Sequence, residues 1–205
     1  MQLFKNFCDY TLDKNGVLEK FELKYPDDYN FGYDVVDEMA KCAPNDIAVQ
    51  WTNVHNERKT FTFSDIATLS NKAANALRNN GVKKGDKVLV ILKRNYEYWY
   101  IVPALHKLGA VVIPATNMLT LDDITYRIET ADIKFAVSTP DDVTAETLVQ
   151  AKTVKSQLEK VFVVRRDVEG SINLTKEIEN ANELIDFIYE ITHTELRYYI
   201  TNKDI

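Results

Sequence analysis

Short apolar runs alternate with longer segments of helical period over residues 64–165. Ser64 can cap a first helix, which Asn80 and Gly81 can end. The pattern then predicts strands at residues 87–92, 110–115, 133–138 and 160–165, and helices at residues 95–108, after Thr120 and at residues 141–159. Such alternation implies right-handed βαβ crossovers and a parallel sheet with helices on both faces. The sequence therefore predicts an α/β fold.

Weaker patterns flank this alternation. Residues 34–42 have helical spacing with Asp34 as a plausible N-cap, and residues 47–51 and 59–63 predict a β-hairpin with a polar connection. An acidic amphipathic helix is expected over residues 175–190, and residues 198–200 could begin a further strand. We interpret residues 1–28 as an N-terminal arm and residues 29–205 as one subdomain.

The composition is that of a globular protein, with 45 % hydrophobic and 27 % charged residues among 205. A net charge of −6 argues against a nucleic-acid binder, which normally carries a basic excess. Residues 83–107 hold six lysines and arginines against two acids, and residues 169–195 hold seven acids against one lysine. Charge runs of this kind usually only keep a face solvated.

Cys8 and Cys42 lie far apart in sequence and form no metal-ligand pattern, which fits a reducing compartment. The first 13 residues include Lys5 and Asp9 and lack the apolar run of a signal peptide. No run of about 18 apolar residues occurs, so we expect no membrane span. A cytoplasmic protein is expected.

Familiar catalytic motifs are absent from the sequence. No G-x-G-x-x-G or G-x-x-x-x-G-K-[ST] loop follows any predicted strand, and no G-x-S-x-G elbow occurs. His106 is interpreted as a packed or surface histidine, and the aromatic run at residues 96–100 as core packing rather than base stacking. The pairs at residues 122–123 and 141–142 are interpreted as acids that favour helix N-termini. No catalytic residue and no metal ligand is assigned.

Five blocks in order nevertheless resemble the N-terminal third of the AMP-forming acyl-CoA synthetases. They are FTFSD at residues 61–65, SNKAANAL at 70–77, GVKKGDKVLV at 81–90, ALHKLGAVVIPAT at 104–116 and LTLDDITYR at 119–127. Residues 113–120 are most similar to the branch that acts on short- or medium-chain acids. The resemblance implies that residues 29–205 are an N-terminal subdomain that stops before the ATP-binding loop, with residues 201–205 similar to the segment just preceding it.

The resemblance also implies a reaction and its ligands. A carboxylate attacks the α-phosphate of Mg·ATP to give acyl-AMP and pyrophosphate, and the thiol of coenzyme A then displaces AMP. Thr116, Asn117 and Met118 match a loop that lines the pantetheine channel in some members, although relatives often carry Gly or His where Asn117 stands. Lys93 and Arg94 could meet the phosphates of coenzyme A, but a solvated rim is the commoner meaning of such charges.

Two hypotheses follow from the sequence. The first is an acyl-CoA synthetase fragment that is inactive alone. ATP, Mg²⁺ and coenzyme A are ligands of the intact enzyme, none of them is expected to bind tightly to the fragment, and the substrate is a small-molecule carboxylate. The alternative is a freestanding α/β module that binds a ligand or a protein without catalysis. An interrupted sheet would also leave an open edge, which predicts self-association.

Overall fold

The computed structural model describes residues 3–183, which form two units. The first unit extends to Ala67 and the second begins at Thr68, so the boundary falls within one helix. The predictions for residues 184–205, which include the strand at 198–200 and the segment at 201–205, lie outside the described residues.

In its described residues, the first unit contains two hairpins and three short helical segments. A 3₁₀ turn, Leu3–Asn6, precedes strands β1 (Cys8–Leu12) and β2 (Leu18–Leu23), and a π-helical segment, Phe31–Asp37, leads into α1 (Glu38–Cys42). The second hairpin is formed by β3 (Ile47–Thr52) and β4 (Arg58–Thr62), which confirms the predicted hairpin. The predicted arm at residues 1–28 thus contains an antiparallel pair of strands that was not expected.

Two predicted helix caps are wrong in position. Asn30, not Asp34, caps the segment that precedes α1, because its side chain accepts from the Gly32 N–H at 2.9 Å. For the helix predicted from Ser64, Thr62 is the capping residue: its hydroxyl accepts from the Asp65 N–H at 3.1 Å, while the Asp65 carboxylate accepts from the Thr62 N–H at 2.8 Å. This reciprocal pair satisfies two amides that a helix leaves free at its first turn.

The second unit follows the predicted alternation. Its elements are α2 (Phe63–Asn79, from the first unit), β5 (Lys87–Ile91), α3 (Tyr98–Lys107), β6 (Val111–Pro114), α4 (Leu121–Ala131), β7 (Ile133–Ser138), α5 (Thr144–Val154), β8 (Lys160–Val163), β9 (Ile172–Asn173) and α6 (Leu174–Asn180). The α/β prediction is confirmed. The helix expected over residues 175–190 is wrong in extent, because its C-cap, Ala181, adopts an extended backbone and ends α6 at Asn180.

The five strands of the second unit form one parallel sheet in the order β6-β5-β7-β8-β9. Side chains alternate between its two faces. Val88 and Val90 of β5 pack among residues of α2, α3 and α6, whereas Leu89 and Ile91 pack among residues of α4 and α5. Both faces of the sheet are therefore covered.

Helices α2 and α3 are also joined by a buried polar contact. The Lys107 ammonium, which is fully buried, donates to the Ser70 hydroxyl at 2.9 Å and to the side-chain oxygen Oδ1 of Asn71 at 2.6 Å. The aromatic run at the start of α3 is mostly packed, as expected: Tyr100 is buried and burial raises the pKa of its phenol, whereas Trp99 is half exposed.

Candidate functional site

Four loops follow the carboxyl ends of the parallel strands β5, β6, β7 and β8, and these loops lie at one edge of the sheet. The chain passes from β5 to β6 on one side and then returns to β7 on the other side of β5. Strand order therefore reverses between β5 and β7, and α/β folds bind ligands outside the carboxyl ends of strands at such a reversal. The loop after β5 carries Lys93 and Arg94, and the loop after β6 carries Thr116, Asn117 and Met118.

Asp142, in the loop between β7 and α5, contacts both of these loops. Its Oδ2 atom accepts from Asn117 Nδ2 at 2.8 Å and pairs with Lys93 Nζ at 3.3 Å. Its Oδ1 atom accepts from the Thr144 N–H at 2.9 Å and from the Thr144 hydroxyl. One carboxylate thus joins the loops that follow three different strands.

The surroundings of Asp142 favour its charged form. Partial burial by itself would raise the pKa of this carboxyl, but the hydrogen bonds from Thr144, Asn117 and Lys93 outweigh burial and hold the pKa below its usual value of 3.8. The carboxylate is therefore ionised at neutral pH, as its pairing with Lys93 requires.

A second polar network fills the reversal point between β5 and β7. Asn95 and Thr139 are buried, and Asn95 Nδ2 donates to Thr139 Oγ1 at 2.8 Å and to Asp141 Oδ2 at 2.9 Å. The Thr139 hydroxyl donates to the same Asp141 oxygen at 3.0 Å. These contacts tie the loop after β5 to the loop after β7 inside the crevice.

Arg165, which follows β8, reaches across the edge to the loop after β5. Its Nε lies 2.7 Å from Glu97 Oε1, its guanidinium also donates to Asn95 Oδ1, and it lies 5.2 Å from the centre of the Tyr96 ring. Glu97 is only 1 % exposed, so this ion pair compensates a buried charge. The crevice at the reversal point is therefore occupied by paired side chains.

The structure brings together two of the five residues predicted for ligand contact. Lys93 and Asn117 meet at Asp142, with Lys93 in a left-handed backbone conformation at φ +50°. Arg94 is exposed, and Met118 is 81 % exposed. The Thr116 hydroxyl accepts from the Met118 N–H at 3.3 Å in a local turn.

Sequence reasoning missed the part played by Asp141 and Asp142. Both were interpreted as helix-start acids, but α5 begins only at Thr144, and both carboxylates accept from side chains of other loops. The available signal was their place directly after a predicted strand, because the loops after parallel strands meet at one edge. A position after a parallel strand indicates that both acids lie at this edge, but which residues they pair with depends on the order of the strands.

Three other features of the described residues concern a possible general base, a metal site and a membrane span. His106 is half buried in α3, and this burial lowers the pKa of its imidazole. Within residues 3–183, no three His, Cys, Asp or Glu side chains are grouped so that they could hold a metal ion. No helix in the same range is long and apolar enough to cross a membrane.

Comparisons with known proteins agree on one family. A family model described as AMP-binding enzyme matches residues 36–195. The Mus musculus protein named acyl-coenzyme A synthetase ACSM4, mitochondrial, is 29 % identical over 198 residues, which cover 94 % of this chain and 34 % of that protein. The Homo sapiens acyl-coenzyme A synthetase ACSM3, mitochondrial, is 31 % identical over 186 residues, with coverage of 87 % and 31 %.

A solved structure shows the same fold. The acyl-CoA synthetase of Brucella canis superposes with a TM-score of 0.69 at 20 % sequence identity, over 78 % of this chain and 29 % of that one. The chain therefore spans about a third of the length of the proteins that it matches.

Proposed function

The chain belongs to the family of AMP-binding enzymes, and from this membership we propose that it forms the N-terminal part of an AMP-forming acyl-CoA synthetase. The observation that carries the proposal is the meeting of Lys93 and Asn117 at the carboxyl edge of the sheet, where such folds bind ligands. The named activity of the mouse and human relatives supports the same reaction.

The proposed reaction has two steps. A carboxylate oxygen of the substrate attacks the α-phosphorus of ATP, and pyrophosphate leaves; the thiol sulfur of coenzyme A then attacks the acyl carbon, and AMP leaves with the bridging oxygen. The first step needs Mg²⁺ and a phosphate cradle. Because residues 3–183 contain no group of three His, Cys, Asp or Glu side chains that could hold a metal ion, the proposal assigns the Mg²⁺ and phosphate sites to other parts of the intact enzyme.

Coenzyme A is the ligand that the described residues fit. The Lys93 side chain, which shares the Asp142 carboxylate with the Asn117 amide, is one-third exposed, and the next residue, Arg94, is exposed. Cationic side chains are suited to phosphates, and a neutral amide can hydrogen-bond a pantetheine amide. In the proposed function, Lys93 and Arg94 contact phosphates, while Asn117 and Met118 lie toward the pantetheine arm.

Several accompanying properties belong to the proposal. The 205-residue chain has no synthetase activity by itself, takes its small-molecule carboxylate only in an intact enzyme and binds no nucleic acid. It associates with itself through the sheet edges, where β6 and β9 are the outermost strands of the described sheet. A cytoplasmic location stays a prediction, since the relatives named above are mitochondrial.

Calorimetric titration of the chain with coenzyme A tests the ligand assignment. We expect binding that weakens with added salt and falls about tenfold in Lys93→Ala, the loss of one charge-assisted contact. Lys83→Ala is the matched control, because Lys83 is an exposed lysine that precedes β5 and so lies at the opposite end of the sheet.

Four results would contradict parts of the proposal. Equal loss of affinity in both lysine variants would assign the binding to net charge alone. Tight binding of an unrelated ligand, without binding of coenzyme A, would favour the freestanding module. Carboxylate-dependent exchange of pyrophosphate into ATP by the isolated chain would show that it is active alone, and light scattering from a strictly monomeric chain would exclude self-association.

A further inference from the structure

The two oxygens of the Asp142 carboxylate serve different parts of the chain. Oδ1 accepts only from Thr144 among the hydrogen bonds described, which fixes the local turn before α5. Oδ2 accepts from Asn117 and pairs with Lys93, which belong to two other loops. The local and the long-range contacts can therefore be separated chemically.

A residue in the loop after a fourth strand, β8, also contacts Asp142. The Arg166 guanidinium, from the loop after β8, donates to the Asp142 carbonyl oxygen at 3.2 Å and to Glu146 Oε2 at 3.0 Å. The backbone of Asp142 is thus fixed by Arg166, and its side chain by Thr144. A group held in this way offers its neighbours an acceptor at a constant position.

We propose that Asp142 is a positioning residue, whose carboxylate holds the Lys93 ammonium and the Asn117 amide together at the ligand-facing edge of the sheet. This inference rests on the proposed function, in which these two side chains contact coenzyme A. Asp142 acts through Lys93 and Asn117 and does not itself contact the ligand.

Removing the charge of Asp142 should change the affinity for an anionic ligand in opposite directions, depending on whether Asp142 positions its neighbours or acts only through its charge. Asp142 is an anion next to Lys93, so removing its charge would strengthen the binding of an anionic ligand if Coulomb attraction alone mattered. If Asp142 positions Lys93 and Asn117, the same change weakens binding, because both side chains lose their common acceptor.

Asp142→Asn makes this change with little effect on the local turn. The amide oxygen can still accept from Thr144, whereas the amide NH₂ replaces Oδ2 and faces two donors, Asn117 Nδ2 and Lys93 Nζ. The double variant Asn117→Asp with Asp142→Asn reverses donor and acceptor. It restores the hydrogen bond and leaves the total charge of the pair unchanged.

Two measurements on the full 205-residue chain test the proposal. The first is the rate at which an amine-specific acetylating reagent modifies Lys93, followed by mass spectrometry, with Lys134 as the internal reference because Asp86 holds it at 3.0 Å. The second is calorimetric titration with coenzyme A. Asp122→Asn, an exposed acid of α4, is the control for the loss of one negative charge.

We expect Asp142→Asn to raise the Lys93 acetylation rate several-fold and to weaken coenzyme A binding about tenfold, which corresponds to one hydrogen bond to a charged group. The reversed pair should recover most of the effect on Lys93 acetylation but not the coenzyme A affinity, because it also replaces the Asn117 amide that faces the pantetheine arm; Asp122→Asn should change neither measurement. Recovery by the reversed pair is a result that general destabilisation would not give. If Asp142→Asn fails to fold, Asp142→Glu keeps the charge but moves the acceptor by one methylene, and it should likewise raise the Lys93 rate and weaken binding.

The outcomes distinguish this inference from the function on which it rests. If the wild-type chain does not bind coenzyme A but Lys93 acetylation follows the expected pattern, the proposed ligand is wrong and the positioning role stands. An unchanged Lys93 rate in Asp142→Asn overturns the positioning role, whatever binds. Tighter binding of coenzyme A by Asp142→Asn also overturns it, because Asp142 would then compete for Lys93.

Discussion

Strands β2 and β5 contain similar apolar residues but differ completely in burial. In β5, Val88, Leu89, Val90 and Ile91 are at most 1 % exposed, whereas in β2 Phe21 is 53 % and Leu23 62 % exposed. The difference lies in the connections: the crossovers from β5 to β6, from β6 to β7 and from β7 to β8 each bring a helix onto the sheet, while the β1–β2 hairpin is closed by a short turn that brings no covering layer. Burial here depends on the topology around a strand more than on the strand itself.

The largest effect on the free energy of unfolding is expected in β5, the strand that helices cover on both faces. Leu89→Ala removes a fully buried side chain that packs among residues of α4 and α5, and should lower the free energy of unfolding by about 3 kcal/mol. Chemical denaturation of the chain, compared with the wild type, measures the loss. A cost below about 1 kcal/mol would mean that the sheet relaxes around the cavity and is less tightly packed than β5 indicates.

The loops of the covered sheet provide the second test. Arg165→Met leaves the buried Glu97 carboxylate without its 2.7 Å partner, and should cost about 2 kcal/mol, reduced from the full cost of breaking a buried pair because Arg165 is one-third exposed. The double variant with Glu97→Gln removes the stranded charge and should recover part of the loss. No recovery would show that Arg165 stabilises through packing on Tyr96 instead.

A smaller effect is expected from acidification. Because the pKa of Asp142 is lowered in the folded chain, its contribution is present above its unfolded pKa, near 3.8, and is lost as the pH falls through the folded pKa. The stability difference between wild type and Asp142→Asn should therefore shrink as the pH falls below about 4. Denaturation curves of both proteins at pH 6 and pH 3 measure this stability difference. A difference that grows on acidification would contradict the lowered pKa of Asp142.

The smallest effect is expected in the uncovered hairpin. Phe21→Ala removes a side chain that is already half exposed, and should change the free energy of unfolding by less than about 0.5 kcal/mol. Denaturation measured beside Leu89→Ala gives the contrast directly. A cost similar to that of Leu89→Ala would show that the hairpin is covered in solution, for example by a second copy of the chain.

Local signals in the sequence predicted the second unit well. The strand at residues 133–138 has the predicted bounds, and Thr120 caps α4 in a capping box with Asp123, because both depend on neighbouring residues. The β1–β2 hairpin was missed although its turn contains Asn15 and Gly16, with Gly16 at φ +80°, a familiar hairpin signal. The charged residues Glu19, Lys20 and Glu22 of β2 interrupt its apolar positions and gave no core face to recognise, and the whole strand is exposed.

The site could be predicted only in part. The resemblance to the acyl-CoA synthetases singled out Lys93 and Asn117, but their meeting depends on β5 lying between β6 and β7. Strand order is a long-range property that a single sequence does not specify, so the partner Asp142 and the Arg165–Glu97 pair could not be derived. The chemistry of individual loops was predictable, whereas their pairing was not.

The order of the strands also has a consequence for synthesis on the ribosome. β5 emerges first, β6 joins one of its sides and β7 the other, and β8 and β9 are then added outward one after another. No strand has to enter between two that are already paired. The sheet can therefore grow in the order of translation, each new strand completing an edge that the preceding part of the nascent chain already presents.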